Sequence, residues 1–342
     1  MDDASFLREM LGLYSPSGDE QRLAVFLRER MAELGFRSYL DEVGNAVGEI
    51  GEGDRVVALV GHIDTVDGFI PPRQEGDLLY GRGAVDAKGP MAAFVLAAAR
   101  AHPRNLRVVV VGAVEEEAAS SRGARHASTR LKPDFAIVGE PSGWEGITLG
   151  YKGRLWINYK LERPMRHSAG PGRGAAEDAV DFWNALRAQA DAFNRDRRPF
   201  DALDLSLRRI NSSADAFSDR VEQLISLRVP VGFPVEDFKR TALTLAGTAA
   251  CEFSNEDPAF RAGKNNALVR AFTGGIRAHG GEPRFKLKTG TSDMNVLGPA
   301  WGCPIVAYGP GDSSLDHTPD ERISLGEFRS AVRVLTTVLD NL

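Results

Sequence analysis

Cysteine is almost absent from this chain. It has two in 342 residues, Cys251 and Cys303, far apart and outside any C-x-x-C spacing. That excludes a disulfide framework and leaves two thiols expected to be buried in a reducing cytoplasm. Long apolar runs are missing as well. The longest, from Pro90 to Ala99, stops at Arg100 and is too short to cross a bilayer. Positive charge is not in excess: 42 Lys and Arg face 47 Asp and Glu, and a net charge of −5 offers no basic face for nucleic acid. The opening residues Met1-Asp2-Asp3 are acidic and lead into an amphipathic stretch carrying Phe6, Leu7, Met10 and Leu11, unlike a signal or transit peptide. Several catalytic motifs are absent: G-x-S-x-G, H-E-x-x-H, a Walker loop and G-x-G-x-x-G. Gly81-x-Gly83 reaches Asp86 where a third glycine would fall.

The length exceeds what one hydrophobic core usually serves, so two domains are expected. The first part alternates strand and helix. Ser17-Gly18-Asp19-Glu20 reads as a capping box opening a helix to Gly35. Val56 to Val60 and Leu106 to Val111 are β-branched runs suited to a buried parallel sheet. Met91 to Ala101 between them predicts a helix with little polar surface, and Phe135 to Val138 another strand. This is a three-layer α/β pattern, in which sites gather at the carboxyl ends of strands.

The middle changes period. Leu155, Ile157, Tyr159 and Leu161 alternate with polar neighbours, then Ala179, Phe182, Leu186 and Ala190 recur at helical spacing. Leu203, Leu205 and Leu207 alternate again, and Val221 to Val229 makes a strand. Pro234 opens a helix through Leu245, and Ala249 to Phe253 closes the unit. The order β-α-β-β-α-β is ferredoxin-like. The expected layout is a discontinuous catalytic domain over 1–150 and 261–342 with an inserted α+β domain over 151–260. A second capping box, Ser324 to Glu327, is expected to open the last helix, with Phe328, Val332, Leu335 and Leu339 on one face.

Chemistry concentrates at strand ends. Gly61-His62-Ile63-Asp64-Thr65 places His62 and Asp64 on one face of a strand end, where one can bind a metal while the other orients its imidazole. Gly81-Arg82-Gly83-Ala84-Val85-Asp86-Ala87-Lys88-Gly89 follows. Glu115-Glu116-Glu117 come next, three acids that repel one another unless cations are near. Glu140 ends a further strand, and His317 lies in the loop Asp316-His317-Thr318-Pro319-Asp320. Two histidines and several carboxylates fit a pair of zinc-type ions bridged by one carboxylate. His167, in the inserted domain, is a candidate to reach a reacting carbonyl, while His102, His126 and His279 have no supporting context.

With these motifs assembled, the chain resembles the metal-dependent aminoacylases: acetylornithine deacetylase, succinyl-diaminopimelate desuccinylase and carboxypeptidase G. The family's H-x-D is His62 and Asp64, and its G-R-G-x-x-D-x-K-G is matched in full. The resemblance implies a zinc-peptidase-like catalytic domain with an inserted dimerisation and lid domain. It implies two divalent ions, zinc first, with cobalt or manganese as alternatives. One ion would be held by His62, Asp86 and Glu140, the other by Asp86, Glu117 and His317. Glu116 would be the general base, Asp64 would orient His62, and His167 would come from a second subunit of a homodimer. Glu115 stands where the family commonly has Asp, which leaves it as the other candidate base.

Within the family the local wording from Gly61 to Thr65 and Val114 to Arg125 is most similar to the [LysW]-lysine hydrolases. That similarity implies hydrolysis of a linear amide in lysine biosynthesis, and in some organisms arginine biosynthesis. Lysine, or ornithine, would be released from the γ-carboxyl of the C-terminal glutamate of a small acidic amino-group carrier protein. Arg228, Gly290 and Thr291 are candidate contacts for the released amino acid. Lys152, Arg154, Arg163, Arg166, Arg173, Arg195, Arg197 and Arg198 are expected to form a basic patch that attracts the carrier. The rival substrates are N-acetylornithine, N-acetyllysine and succinyl-diaminopimelate. A non-catalytic binding protein on the same fold is the rival from another class, and the presence of every ligand together with Glu116 speaks against it. No membrane or nucleic-acid partner is expected, and the expected location is the cytoplasm.

Overall fold

The structure, a computed structural model, describes residues 2–167 and 169–342. It divides into two compact units. The first comprises Met1–Gly150, Arg261–Leu287 and Ser292–Leu342, the second Tyr151–Phe260 and Lys288–Thr291.

The first unit is built on a nine-stranded sheet. At its centre Leu106–Ala113, Arg55–His62, Phe135–Gly139 and Ile305–Tyr308 lie side by side and parallel. Their β-branched runs are buried on both faces. Val57, Leu59, Val108, Val110 and Ile137 join one hydrophobic cluster, while the alternating Ala58, Val60, Val109, Val111 and Val138 are equally buried on the other side. A sheet covered on both faces makes three layers.

Glycine lets one of those layers come close. Gly61 sits opposite Gly112 on one neighbour and Gly139 on the other. A Cβ on Gly139 would come 3.0 Å from the Phe94 ring, and one on Gly61 3.3 Å from the Met91 sulfur. The helix Lys88–Arg100, buried from Lys88 through Ala98, therefore packs directly on the strand ends that carry the chemistry.

Both predicted capping boxes fail in part, for one physical reason. The helix after Ser17 runs Gln21–Glu33 without a side-chain cap. Ser17 Oγ instead donates to Asp64, and Glu20 accepts the amides of Gly18 and Glu115. Ser324 does cap Leu325–Asp340 through the Glu327 amide, but the Glu327 carboxylate accepts Trp144 N and Gly311 N rather than returning to the cap. In each case the polar group meets a distant loop that sequence spacing cannot reveal.

The second unit runs Gly153–Pro164, Ala175–Phe193, Asp204–Ala214, Ser218–Val229, Val235–Ala246 and Ala250–Asp257, a β-α-β-β-α-β order. Its four strands are antiparallel, with Gly153–Pro164 between Ser218–Val229 and Ala250–Asp257, and Asp204–Ala214 at one edge. Leu155, Ile157, Tyr159 and Leu161 face Phe182 and Leu186, with the Tyr159 and Phe182 rings stacked at 4.5 Å. The edge strand extends to Ala214, beyond the alternating leucines that predicted it. Its far half is polar and exposed, so it carries no apolar period. No helix among the described residues is long and apolar enough to cross a membrane.

Candidate active site

Parallel strands deliver their carboxyl ends to one rim. Arg55–His62 ends on His62 and continues to Asp64. Leu106–Ala113 continues into Glu115-Glu116-Glu117, and Phe135–Gly139 into Glu140. Asp86 precedes the helix Lys88–Arg100, and His317 lies between Ile305–Tyr308 and the last helix.

The polar atoms converge on Asp86. Its Oδ1 lies 3.1 Å from His62 Nε2 and its Oδ2 3.1 Å from His317 Nε2, so one carboxylate faces both imidazoles. His317 Nε2 is also 2.7 Å from Glu117 Oε1. One ligand atom each of His62, Asp86 and Glu117 fall within 4.8 Å of one another, a group able to hold a metal ion. Glu140 is buried at the end of its strand.

Asp64 acts as a brace. Its two oxygens accept the amides of Glu116 and Glu117, each at 3.0 Å, and the Ser17 hydroxyl at 2.6 Å. Its backbone carbonyl lies 2.9 Å from His62 Nδ1, which leaves Nε2 for Asp86. The turn begins at Glu115, whose φ of +58° is left-handed, and the Glu115 amide is held by Glu20. The Glu115 side chain is engaged with Ser120 and Arg122, while Glu116 shares the electrostatic field of His62, Glu140 and Glu117.

The charges are strongly perturbed. Burial pushes Glu116 well above the ordinary carboxylate range. His62 opposes that rise, and the charges of Glu140, Glu117 and Asp293 reinforce it. Burial also raises Glu117, with His317 opposing. Asp86 is held far below the usual range because hydrogen bonds from His317 and His62 outweigh its burial. Hydrogen bonds to Asp86 and Glu117 push His317 up to about 10. His62 is raised well above its ordinary value, since bonds to Asp64 and Asp86 overcome its burial. Carboxylates thus outnumber the two imidazoles, an arrangement that draws cations.

The remaining predicted residues lie in the second unit. Arg228 Nη1 donates to Thr291 Oγ1 at 3.1 Å, so Arg228 and the Gly290-Thr291 turn are neighbours. His167 is exposed, and its Nδ1 accepts the amide of Ala169. The expected basic patch needs correcting. Lys152 is buried and paired with Asp204 at 2.6 Å, and Arg154 is paired with Asp257 at 2.5 Å. Arg163 pairs with Asp178, and Arg173 with Asp178 and Asp181. Half of the proposed patch is neutralised by neighbouring acids. Arg166, Arg195, Arg197 and Arg198 remain exposed.

Sequence spacing missed Ser17 and Glu20, which hold Asp64 and the triple-glutamate turn. It also missed Asn45, whose Oδ1 accepts the Val114 amide and whose Nδ2 donates to Gly123 O. Their partners lie far along the chain, and no local pattern marks them.

The model of peptidase family M20/M25/M40 matches residues 58–341. The chain belongs to this family. A [LysW]-lysine hydrolase of Deinococcus radiodurans is 46% identical over 98% of this chain and 96% of its own. Among solved structures, an M20 family metallo-carboxypeptidase from Sulfolobus solfataricus superposes with a TM-score of 0.81 at 19% identity, covering 100% and 99% of the two chains. A Bacillus subtilis protein described as a dinuclear metal binding peptidase from the M20 family gives 0.71 at 14% identity, covering 98% and 96%. These two likenesses establish the M20 fold and nothing finer.

Proposed function

We propose that this M20 family member is a metal-dependent amidohydrolase of lysine biosynthesis. It releases lysine, with ornithine as a second product, from the γ-carboxyl of the C-terminal glutamate of a small acidic amino-group carrier protein. The observation that carries the metal-dependent chemistry is the bridging of His62 and His317 by the two oxygens of Asp86. The substrate follows from the 46% identity to a [LysW]-lysine hydrolase over nearly the whole chain.

The donor set fits two divalent cations. The excess of buried carboxylate over imidazole calls for positive charge, and Asp86 offers one oxygen to each side. His62, Asp86 and Glu140 would hold one ion, and Asp86, Glu117 and His317 the other. Carboxylate and imidazole donors suit zinc first, and cobalt or manganese next. Bound ions supply Lewis-acid polarisation of the scissile carbonyl and lower the pKa of water toward neutrality.

The chain's own residues do the rest. Glu116 accepts a proton from the attacking water and returns it to the leaving nitrogen. The acyl carbon gains the hydroxyl, the C–N bond breaks, and a free amine and the carrier's carboxylate result. Burial raises the Glu116 carboxyl, which suits it to hold that proton between the two transfers. Asp64 keeps the turn carrying Glu116 and Glu117 in register through their amides.

In this proposal a homodimer forms through the second unit, whose outer strand Asp204–Ala214 has a free edge among the described residues. His167 of a second copy then helps hold the developing oxyanion. Arg228, with Gly290 and Thr291, receives the carboxylate of the released amino acid. The enzyme works in the cytoplasm, with no nucleic-acid or membrane partner.

The test is a substrate panel comparing carrier-linked lysine, carrier-linked ornithine, acetylornithine and succinyl-diaminopimelate, each with and without chelator. Carrier-linked lysine is expected to be turned over fastest, and chelator to abolish turnover. Faster hydrolysis of the free acyl amino acids would remove the carrier from the assignment. Chelator-resistant turnover would remove the metals.

A further inference from the structure

Glu321 is 1% exposed, yet both of its carboxylate oxygens are fully engaged. Oε2 accepts Arg82 Nη1 at 2.8 Å and the Gly83 amide at 3.0 Å. Oε1 accepts the amides of Val85 at 3.0 Å and Asp86 at 3.2 Å. The segment that carries Asp86 is therefore wound around one buried anion. The winding is tight: Gly83 has a φ of +87°, and a Cβ there would lie 2.9 Å from the Lys88 side chain.

Glu321 belongs to the same loop as His317. Arg82, itself 7% exposed, fastens the two segments. Its Nη1 donates to Thr318 O at 3.1 Å as well as to Glu321, and its Nε donates to Gly68 O at 3.1 Å. Every bond of this pair ends on the backbone or side chain of a loop next to a candidate ligand. Removing one charge would leave the other buried and unpaired, so the arrangement tolerates little displacement.

We propose that Glu321, together with Arg82, is a positioning residue that sets the distance between Asp86 and His317. It thereby sets the affinity of the chain for the ion those two residues share with Glu117. This rests on the two-metal reading above. Glu321 touches neither substrate nor ion and acts through the backbone of Asp86.

The experiment is a Co2+ titration of the metal-free full chain, followed by visible absorption and equilibrium dialysis, beside thermal melting of the same metal-free samples. The wild type is expected to take up two equivalents. Glu321→Gln offers one acceptor oxygen where the native side chain has two, and should lose about 10–100-fold in affinity for at least one equivalent. Its melting temperature without metal should fall, because Arg82 loses its counter-charge and buried amides lose an acceptor, so the affinity measured well below the melting range is the deciding readout. Wild-type affinity in Glu321→Gln overturns the proposal, as does a lowered melting temperature with unchanged affinity, which would mark a merely structural role. Should Glu321→Gln fail to fold, Arg82→Lys decides by the same titration, because lysine cannot reach Glu321, Thr318 O and Gly68 O together. Weaker Co2+ binding by Arg82→Lys supports the proposal, and wild-type binding overturns it. A wild type that takes up no Co2+ defeats the two-metal reading itself, an outcome visible before any variant is compared.

Discussion

Replacing Asp64 by Asn changes one atom type at the most heavily bonded carboxylate of the site. Native Asp64 accepts Glu116 N on one oxygen, and Glu117 N and Ser17 Oγ on the other. An asparagine has one acceptor oxygen. If it keeps the Glu116 amide, its NH2 faces the Glu117 amide, and a buried donor is left unpaired at a cost of about 1–3 kcal/mol. The Ser17 hydroxyl can turn to accept from the new NH2, so that bond changes partner at little cost. Urea unfolding of the metal-free chain should show a lower midpoint at an unchanged slope. The pH dependence carries the sign. Asp64 titrates below its ordinary value of 3.8 because its bonds to His62, Ser17 and the Glu116 amide outweigh its burial. Its contribution is therefore fully present above 3.8 and is lost as pH falls through the lower native value. The gap between wild type and Asp64→Asn should close as pH falls below 3.8. Equal stability at pH 7, or a gap that keeps widening below pH 3.8, would refute this account of the brace.

Glu116→Gln should keep its metal equivalents and lose about 10²–10⁴-fold in kcat, whereas Glu115→Gln, whose carboxylate is tied to Ser120 and Arg122, should stay near wild type. The opposite ranking in steady-state kinetics would make Glu115 the base. Mixing inactive Glu116→Gln chains with inactive His167→Ala chains should restore part of the activity through heterodimers; no rescue, with subunit exchange verified, places His167 outside the reaction of the partner copy. Burial pushes both thiols up to about 11, so alkylation of Cys251 and Cys303 should be slow near pH 7 and rise steeply toward that value. Rapid labelling at neutral pH would contradict it.

The three-layer core was legible because its strands are unbroken β-branched runs, and a run such as Val108–Val111 has few structures open to it. The β-α-β-β-α-β unit was legible from a change of period at Leu155. His62, Asp64 and Asp86 stood out because fixed spacing around glycines survives in linear sequence. What could not be read was the reach of polar groups across the chain. Ser17 looked like a helix cap because Ser followed at a short interval by Glu is a local signal, and its true partner, Asp64, lies on another element. The paired arginines failed for the same reason. Arg163 and Asp178 are separated by a turn and the start of a helix, so their mutual neutralisation is invisible until both are placed. The short return of Lys288–Thr291 to the second unit is marked by no change in composition.

The protonated state of His317 has a consequence for how the protein comes to be loaded. With His317 titrating at about 10, its imidazole carries a proton at neutral pH in the chain without metal, and it faces both Asp86 and Glu117. That proton is a placeholder cation: it holds the two carboxylates together before any ion arrives. Loading is then an exchange of one kind of positive charge for another, and protons must leave to bulk water as it proceeds. Acid competes with the ions for the same seats, so occupancy falls as the pH is lowered.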